Sequence, residues 1–365
     1  MDKRMHLIIC CIAAYSFVVG SGCTAQQAQQ TEQQKTEQQT EQSTEQQQTE
    51  KTEQTQQQAT ASGQKEKNQA AVAENALDFE ATLKKHVEHL ATTIGERNLQ
   101  HYEELCEAAD YIETEFKNYG LTPKRQTFEV RKLDCYNIAV EIKGAKLPEE
   151  IVIIGGHYDS AQGTPGANDN GSGTAAMLAL AEHFSKSKPD RTLRFVAFTN
   201  EEPPYFQTRD EMGSWVYAEK CRLEDQNIVA VISLETMGYY TDEEGSQNYP
   251  PPLDKEYPST GNFVGIVGDF KSRKLVRQVL KSFKSNSKVP AEGADLPGNL
   301  PGVGWSDHWS FWQEGYVGIM ITDTAPFRYQ QHYHKAADTP DKINFPVFAK
   351  VSEGLVKPIE DLLKE

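Results

Sequence analysis

From Ile151 to Gly173 the chain reads IVIIGGHYDSAQGTPGANDNGSG, and this run confines the fold more than any other. Four consecutive aliphatic residues, Ile151 to Ile154, close on Gly155-Gly156. An apolar run without alternation is the pattern of a strand covered on both faces, which calls for a parallel or mixed sheet with helices on either side. His157 and Asp159 then stand just past the strand's end, at the carboxyl edge of the sheet, where open α/β folds place their sites. Histidine is the commonest zinc ligand, and its free ring nitrogen is usually held by a carboxylate. Asp159, two residues on, has the chemistry and the strand-side position to do the holding.

The rest of the chain follows a matching periodicity. Apolar residues recur at helical spacing over 78–91 and over 102–119 (Leu105, Ala109, Ile112, Phe116), where Gly120 is a good stop. Strand-like runs cover 127–131, 137–142, 150–155, 193–199, 228–234, 263–267 and 317–322. Helical patterns fall at 173–187, 212–220, 272–285 and 346–363. Strands alternating with helices predict an α/β fold, a sandwich around a mostly parallel, mixed sheet. Two Gly- and Pro-rich stretches, 241–262 and 286–304, read as long irregular loops, which in a compact domain are often binding loops.

The start of the chain has a different character. Lys3 and Arg4 precede an apolar run from Leu7 to Val19 and then Gly20-Ser21-Gly22-Cys23, the layout of a signal peptide over residues 1–23. Cys23 resembles the lipidated cysteine of a bacterial lipoprotein, although Gly20 stands where a large aliphatic residue is usual. From Thr24 to about Ala70 the chain is Gln, Thr and Glu with almost nothing apolar, and residues 24–75 are expected to stay disordered and to act as a tether. The domain expected to fold is 76–365. Its cysteines, Cys106, Cys135 and Cys221, are an odd set that implies no disulfide framework. The expectation is export, with a lipid on Cys23 anchoring the protein to a bacterial membrane. A formal net charge of −16 argues against a nucleic-acid partner.

Three further segments end apolar runs in polar side chains. TLRFVAFTNEE closes on Glu201 and Glu202, which at a strand end point in different directions, so one can bind metal while the other serves as a base. VAVISLETMG sets Glu235 inside an apolar stretch, where a carboxylate must be paired, protonated or metal-bound. His332-Tyr333-His334, with Asp338 beyond, follows the last strand. Asp169 sits in a turn that enters a helix, and for it and Ser172 helix capping serves equally well. Each element taken singly has a plain structural explanation. Together His157, Asp169, Glu202, Glu235 and one of the two late histidines form an N/O donor set without thiolate, suited to two zinc ions that share a carboxylate.

In order, GGHYDS, GANDNGSG, TNEEPP, SLETMG and QQHYHKAADT resemble the co-catalytic di-zinc aminopeptidases of the M28 type. Their superfamily also holds glutamate carboxypeptidase-like enzymes and glutaminyl cyclases. The resemblance runs from about Asp78 to the C-terminus. It implies a three-layer α/β/α sandwich of the zinc aminopeptidase kind and two zinc ions per chain. By it, His157 and Glu235 bind one zinc, Glu202 and His334 the other, and Asp169 bridges them. His334 is chosen over His332 because YHKAAD matches the family's pattern. Asp159 orients His157, and Glu201 is the general base toward a metal-activated water. Glu235 departs from the Asp of many members, which leaves its geometry open. Ser306-Asp307-His308 also resembles a segment lining that site, although an N-terminal helix cap explains it as well.

The expected activity is hydrolysis of the N-terminal residue of peptides. A carboxypeptidase on the same fold would need cations for a terminal carboxylate, with Arg209, Arg328 and Lys335 as candidates. A glutaminyl cyclase would cyclise without hydrolysing. A non-catalytic binding protein on this scaffold is the alternative from another class.

Overall fold

The computed structural model describes residues 77–249, 251 and 253–365. The signal peptide, Cys23 and the tether at 24–75 lie outside them. The described residues form one compact unit, Leu77–Glu365.

Two helices open the domain, α1 (Phe79–Glu88), continued by a π-helical turn, and α2 (Tyr102–Asn118). Asp78 caps the first through the Ala81 N–H, and Gly120 at φ +79° turns the chain out of the second. Then come β1 (Lys124–Val130), β2 (Leu133–Ile142), β3 (Leu147–His157), α3 (Gly173–Phe184), β4 (Arg191–Phe198), α4 (Gly213–Leu223) and β5 (Asn227–Glu235). The second half holds β6 (Val264–Gly268), α5 (Arg273–Asn286), β7 (Ala291–Asp295), α6 (His308–Gln313), β8 (Gly318–Thr322), α7 (Ala325–Arg328), α8 (Phe345–Gly354) and α9 (Val356–Leu362).

The eight strands form one sheet in the order β1-β2-β4-β3-β5-β8-β6-β7. Its centre, β4-β3-β5-β8, is parallel, and antiparallel pairs flank it on both sides. The mixed α/β sandwich expected from the sequence is the fold observed. β3 shows why its apolar run does not alternate. Val152 and Ile154 join the core under α1 and α3, whereas Ile151 and Ile153 join a second core with Tyr217 of α4 and Phe311 of α6. Both faces of the strand are dry.

Two expectations need correction. The stretch 286–304 is not wholly irregular, because Ala291–Asp295 forms β7, parallel to β6 at the sheet's edge. An edge strand of sequence AEGAD carries neither alternation nor β-branched residues, so no local signal marks it. The closing helix is two helices, broken at Leu355.

The carboxyl ends of β3, β4 and β5 converge, and a polar lattice holds the loops that leave them. Arg97, fully buried, gives Nε to the Tyr158 carbonyl at 2.5 Å. Its Nη1 reaches Pro165 O at 2.6 Å and its Nη2 reaches Gly166 O at 2.9 Å. One guanidinium thus ties the exit of β3 to the turn before Asp169. Burial lowers the Arg97 pKa to about 10 against the pull of Asp159 and Asp338, so it stays charged at neutral pH. Asn170 spans from that turn to β5, giving Nδ2 to Leu234 O at 2.9 Å and taking the Thr236 N–H at 3.0 Å. α3 meets β5 so closely that a Cβ on Gly173 would lie 2.2 Å from Leu234 O.

Replacing Arg97 by Met leaves several buried carbonyls without donors. The expected loss is about 3 kcal/mol or more of unfolding free energy, read from the midpoint of urea denaturation. An unchanged midpoint overturns the clamp's role.

Candidate metal centre

The site residues derived from the sequence arrive from five places. β3 ends at His157, the loop after β4 carries Glu201 and Glu202, β5 ends at Glu235, and His334 comes from the loop after α7. Asp169 projects from the turn Ala167–Ser172, entering α3. All but His334 are buried.

Two groups of three form among them. His157, Asp169 and Glu235 offer ligand atoms within 4.8 Å of one another, and so do Asp169, Glu202 and His334. His157 Nε2 lies 3.5 Å from Asp169 Oδ1 and 3.3 Å from Glu235 Oε2. His334 Nε2 lies 3.0 Å from Asp169 Oδ2 and 3.1 Å from Glu202 Oε2. Asp169 thus gives one oxygen to each group. Glu235 reaches its place despite the longer arm, with Oε2 held at 2.7 Å by the Ser306 hydroxyl. Of the two late histidines, His334 joins the cluster, whereas His332 stacks at a tilt against Tyr329.

Glu201 belongs to neither group, and its Oε2 is 3.8 Å from His157 Nε2. Asp159 Oδ1 lies 3.4 Å from His157 Nδ1. The same carboxylate accepts the Glu201 N–H on Oδ1 and the Glu202 N–H on Oδ2, each at 3.1 Å. Asp159 therefore positions the Glu201-Glu202 backbone as well as facing His157, a role its place in the sequence does not reveal.

Buried polar atoms in folded proteins nearly always have partners. Here both ring nitrogens of His157, Asp169 Oδ1, Glu202 Oε1 and His334 Nε2 are buried without a hydrogen bond, all within one cluster. The cluster also demands positive charge. Burial alone lowers the His157 pKa, yet Glu235 and Glu201 drive it well above the ordinary value. Burial likewise opposes a charged His334, and Asp169 and Glu202 push it to about 11. Burial raises Glu201 far above a normal carboxylate against the pull of His157, with Glu235 and Glu202 adding to the rise. Burial and Asp169 take Glu202 to about 7. Divalent cations answer both demands, because they supply charge and accept the orphaned N and O donors. The residues fit such ions.

Of the two neighbours at the start of α6, only Asp307 faces the cluster. Burial raises its pKa to about 7, and His157 and Glu235 act on it from opposite directions. His308 turns away, with Nε2 2.8 Å from Val303 O and its ring edge-on to Trp312. Tyr239 packs at a tilt against Tyr329, and Tyr240 is buried. Two residues frame Asp169, Asp338, which the sequence reading named without a role, and Asp323, which it missed. Asp338 accepts the Asn168 and Asp169 N–H groups at 2.9 and 3.0 Å, and Asp323 holds Asn168 Nδ2 at 2.9 Å. Ser172 does not cap α3; its hydroxyl donates to Asn168 O and accepts the Met237 N–H.

Known proteins are similar to this chain. An uncharacterised Escherichia coli protein, YfbL, is 36% identical across 75% of this chain and 85% of its own length. A zinc aminopeptidase of Bacillus subtilis superposes with a TM-score of 0.62 at 15% identity, over 80% of this chain and 97% of that one. A glutaminyl cyclase of Porphyromonas gingivalis superposes at 0.57 with 17% identity, over 78% and 100%. Such distant likenesses establish the fold and leave the reaction open. Residues 137–357 match the sequence profile of Peptidase family M28, and the chain belongs to that family.

Proposed function

We propose that this M28 peptidase is a zinc aminopeptidase that removes the first residue of peptides, with Glu201 as its general base. The observation that carries the reading is the pair of three-residue groups joined through Asp169, with Glu201 beside them and in neither. Zinc ions held by His157, Asp169 and Glu235, and by Asp169, Glu202 and His334, would lower the pKa of water and polarise the scissile carbonyl. Glu201, not needed as a ligand, accepts the proton of the attacking water and returns it to the departing amine. Its placement relative to Glu202 depends on Asp159, which holds both backbone N–H groups. Asp338 and Asp323 hold the turn that presents Asp169.

The surplus of carboxylates favours a substrate's free ammonium over a terminal carboxylate. The cations that a carboxypeptidase would require are engaged elsewhere. Arg328 is buried against Gln247 Oε1, Tyr239 O and Phe263 O. Arg209 pairs with Glu219, and Lys335 Nζ donates to Gln330 O at 2.9 Å. The proposal also covers export and a lipid on Cys23, with residues 24–75 as a tether. Its support is the basic start, apolar run and small-residue approach to Cys23.

Metal analysis of the purified domain should find about two zinc ions per chain, in keeping with a shared carboxylate between two sites. Leucine anilide should be hydrolysed, and a chelator should abolish the reaction. Cleavage of blocked dipeptides from the C-terminus, or cyclisation of glutaminyl peptides without anilide hydrolysis, would replace this reading. Glu201→Gln should retain zinc while losing about 10²–10⁴-fold in turnover; near-normal turnover removes Glu201 from its role. Cys23→Ser should move the protein from the membrane fraction to the soluble fraction, and persistence in the membrane contradicts lipid anchoring there.

A further inference from the structure

The charge of α5 runs against that of the chain. From Lys271 to Lys288 the sequence KSRKLVRQVLKSFKSNSK carries seven basic residues and no acidic one, within a formal net charge of −16. Helix stability gives no reason for this. Arg273 and Arg277, and Arg277 and Lys281, are like charges four residues apart, which oppose a helix. Arg273 and Lys274 also stand in the first turn, where the macrodipole favours carboxylates.

Packing accounts for the inner side alone. Leu275, Val276, Val279 and Phe283 are buried, and the helix lies over β6, β7 and β8. Its outer side presents Lys274, Arg277, Lys281 and Lys284, all exposed and at helical spacing. On the flank toward β7, Asp295 lies 2.9 Å from Arg273 and 3.4 Å from Arg277, and Glu292 lies 3.9 Å from Lys284. Lys274 and Lys281, on the crest, form no ion pair among the described residues. At the leading end Phe270 is 55% exposed, with the Arg273 guanidinium 5.2 Å from its ring centre. Asp269 accepts the Ser272 N–H at 2.8 Å and closes the turn that holds the ring outward. Basic residues beside an exposed aromatic ring suit an anionic bilayer, where lysines meet phosphates and the ring enters the boundary beneath them.

The place of α5 in the fold keeps such contact clear of the metal centre. Glu235 pairs with Thr322 and Thr322 with Gly265, and β6 runs from Gly265 away from that level, so Phe270 leaves the sheet at the opposite edge. The helix also covers the face of β6 and β8 turned away from the apolar cavity that Tyr249, Tyr257, Trp305 and Phe327 line beside Glu235. Leu77, where the described domain begins, packs in the same helical layer, in which α1 meets α8 and α9 meets α5. The negative charge of the remaining chain does not forbid docking, because charges beyond a Debye length of ~8 Å at about 0.15 M salt are screened.

We infer that the outer face of α5, with Phe270 at its leading end, docks on an anionic lipid bilayer and leaves the metal centre turned toward solvent. The inference takes its setting from the lipid-anchor reading above: the anchor keeps the domain near the bilayer, and α5 decides how it faces. The test uses the chain from Thr24 onward, without leader or lipid, sedimented with vesicles of phosphatidylglycerol and phosphatidylcholine or of phosphatidylcholine alone. At about 0.01 M salt, where the Debye length is ~30 Å, the protein should bind the anionic vesicles and not the neutral ones. At about 0.15 M salt the face alone should let go, so fractionation of Cys23→Ser at that salt still reports on the lipid. Lys274→Gln with Lys281→Gln should weaken vesicle binding about 30-fold, at about fivefold for each cation near a charged surface. Phe270→Ser should weaken it as well, through lost apolar burial. Arg209→Gln with Lys220→Gln removes the same charge at α4, across the sheet, and should leave binding unchanged. Thermal unfolding establishes that each variant is intact. Unchanged binding in the α5 variant, an equal loss in both double variants, or equal binding to neutral vesicles overturns the inference. Retention on heparin without vesicle binding overturns it too, and assigns the face to a soluble polyanion. None of these outcomes touches the lipid anchor, which fails separately if Cys23→Ser stays in the membrane fraction.

Discussion

The arrangement at the carboxyl edge of the sheet depends on one constraint, the crowding of carboxylates in a buried space. Asp159, Asp169, Glu201, Glu202 and Glu235 are all buried, and among the described residues the imidazoles that join them are those of His157 and His334. Such a group is unstable as bare negative charge, because desolvation and mutual repulsion both oppose ionisation. It persists if positive charge is shared through it. Asp169, one oxygen toward each three-residue group, makes that sharing geometric, so two cations can be held where separate sites would need another ligand.

Holding repelling groups together takes a stiff frame. Arg97 gathers the carbonyls at the exit of β3 and before the glycine turn, so a permanent cation lies under the acidic cluster without consuming any of its ligands. Asn168, Asn170 and Asp338 then stitch the turn to the end of β5 and to the loop that carries His334. These bonds span more than sixty residues of sequence in each case. Fixed second-layer contacts of this kind are what keep ligands oriented before any metal arrives.

The edge of the sheet solves a different problem. β8, β6 and β7 bury one face under α5 and leave the other to the aromatic residues Tyr249, Tyr257, Trp305 and Phe327, so one sheet supplies a residue of the candidate metal centre and the floor of an apolar cavity. Antiparallel pairing of β6 with β8 makes this possible, since it brings Gly265 level with Thr322 and hence with Glu235. A loop-built site could not hold such a register.

Much of this protein was legible in its sequence, for local reasons. The unalternating run Ile151–Ile154 declared a doubly covered strand because burial on both faces leaves no position for a polar side chain. Five ordered motifs marked the family and gathered His157, Asp169, Glu202, Glu235 and His334, because ligand chemistry restricts residue type at strand ends. What lay beyond reach depends on contacts distant along the chain. β7 has no periodicity of its own and becomes a strand only by hydrogen bonding to β6. Arg97 and Asp323 look like ordinary surface charges until folding buries them against groups from elsewhere in the chain, and Asp338 is marked by its motif but not by its task of holding the Asn168 and Asp169 N–H groups. Asp159 could be read as a partner for His157, but its grip on Glu201 and Glu202 exists only because β3 and β4 lie side by side. Gly265 reads as one more strand glycine. Its place level with Thr322 and Glu235 was decided by strand register, a property of the sheet that no single segment carries.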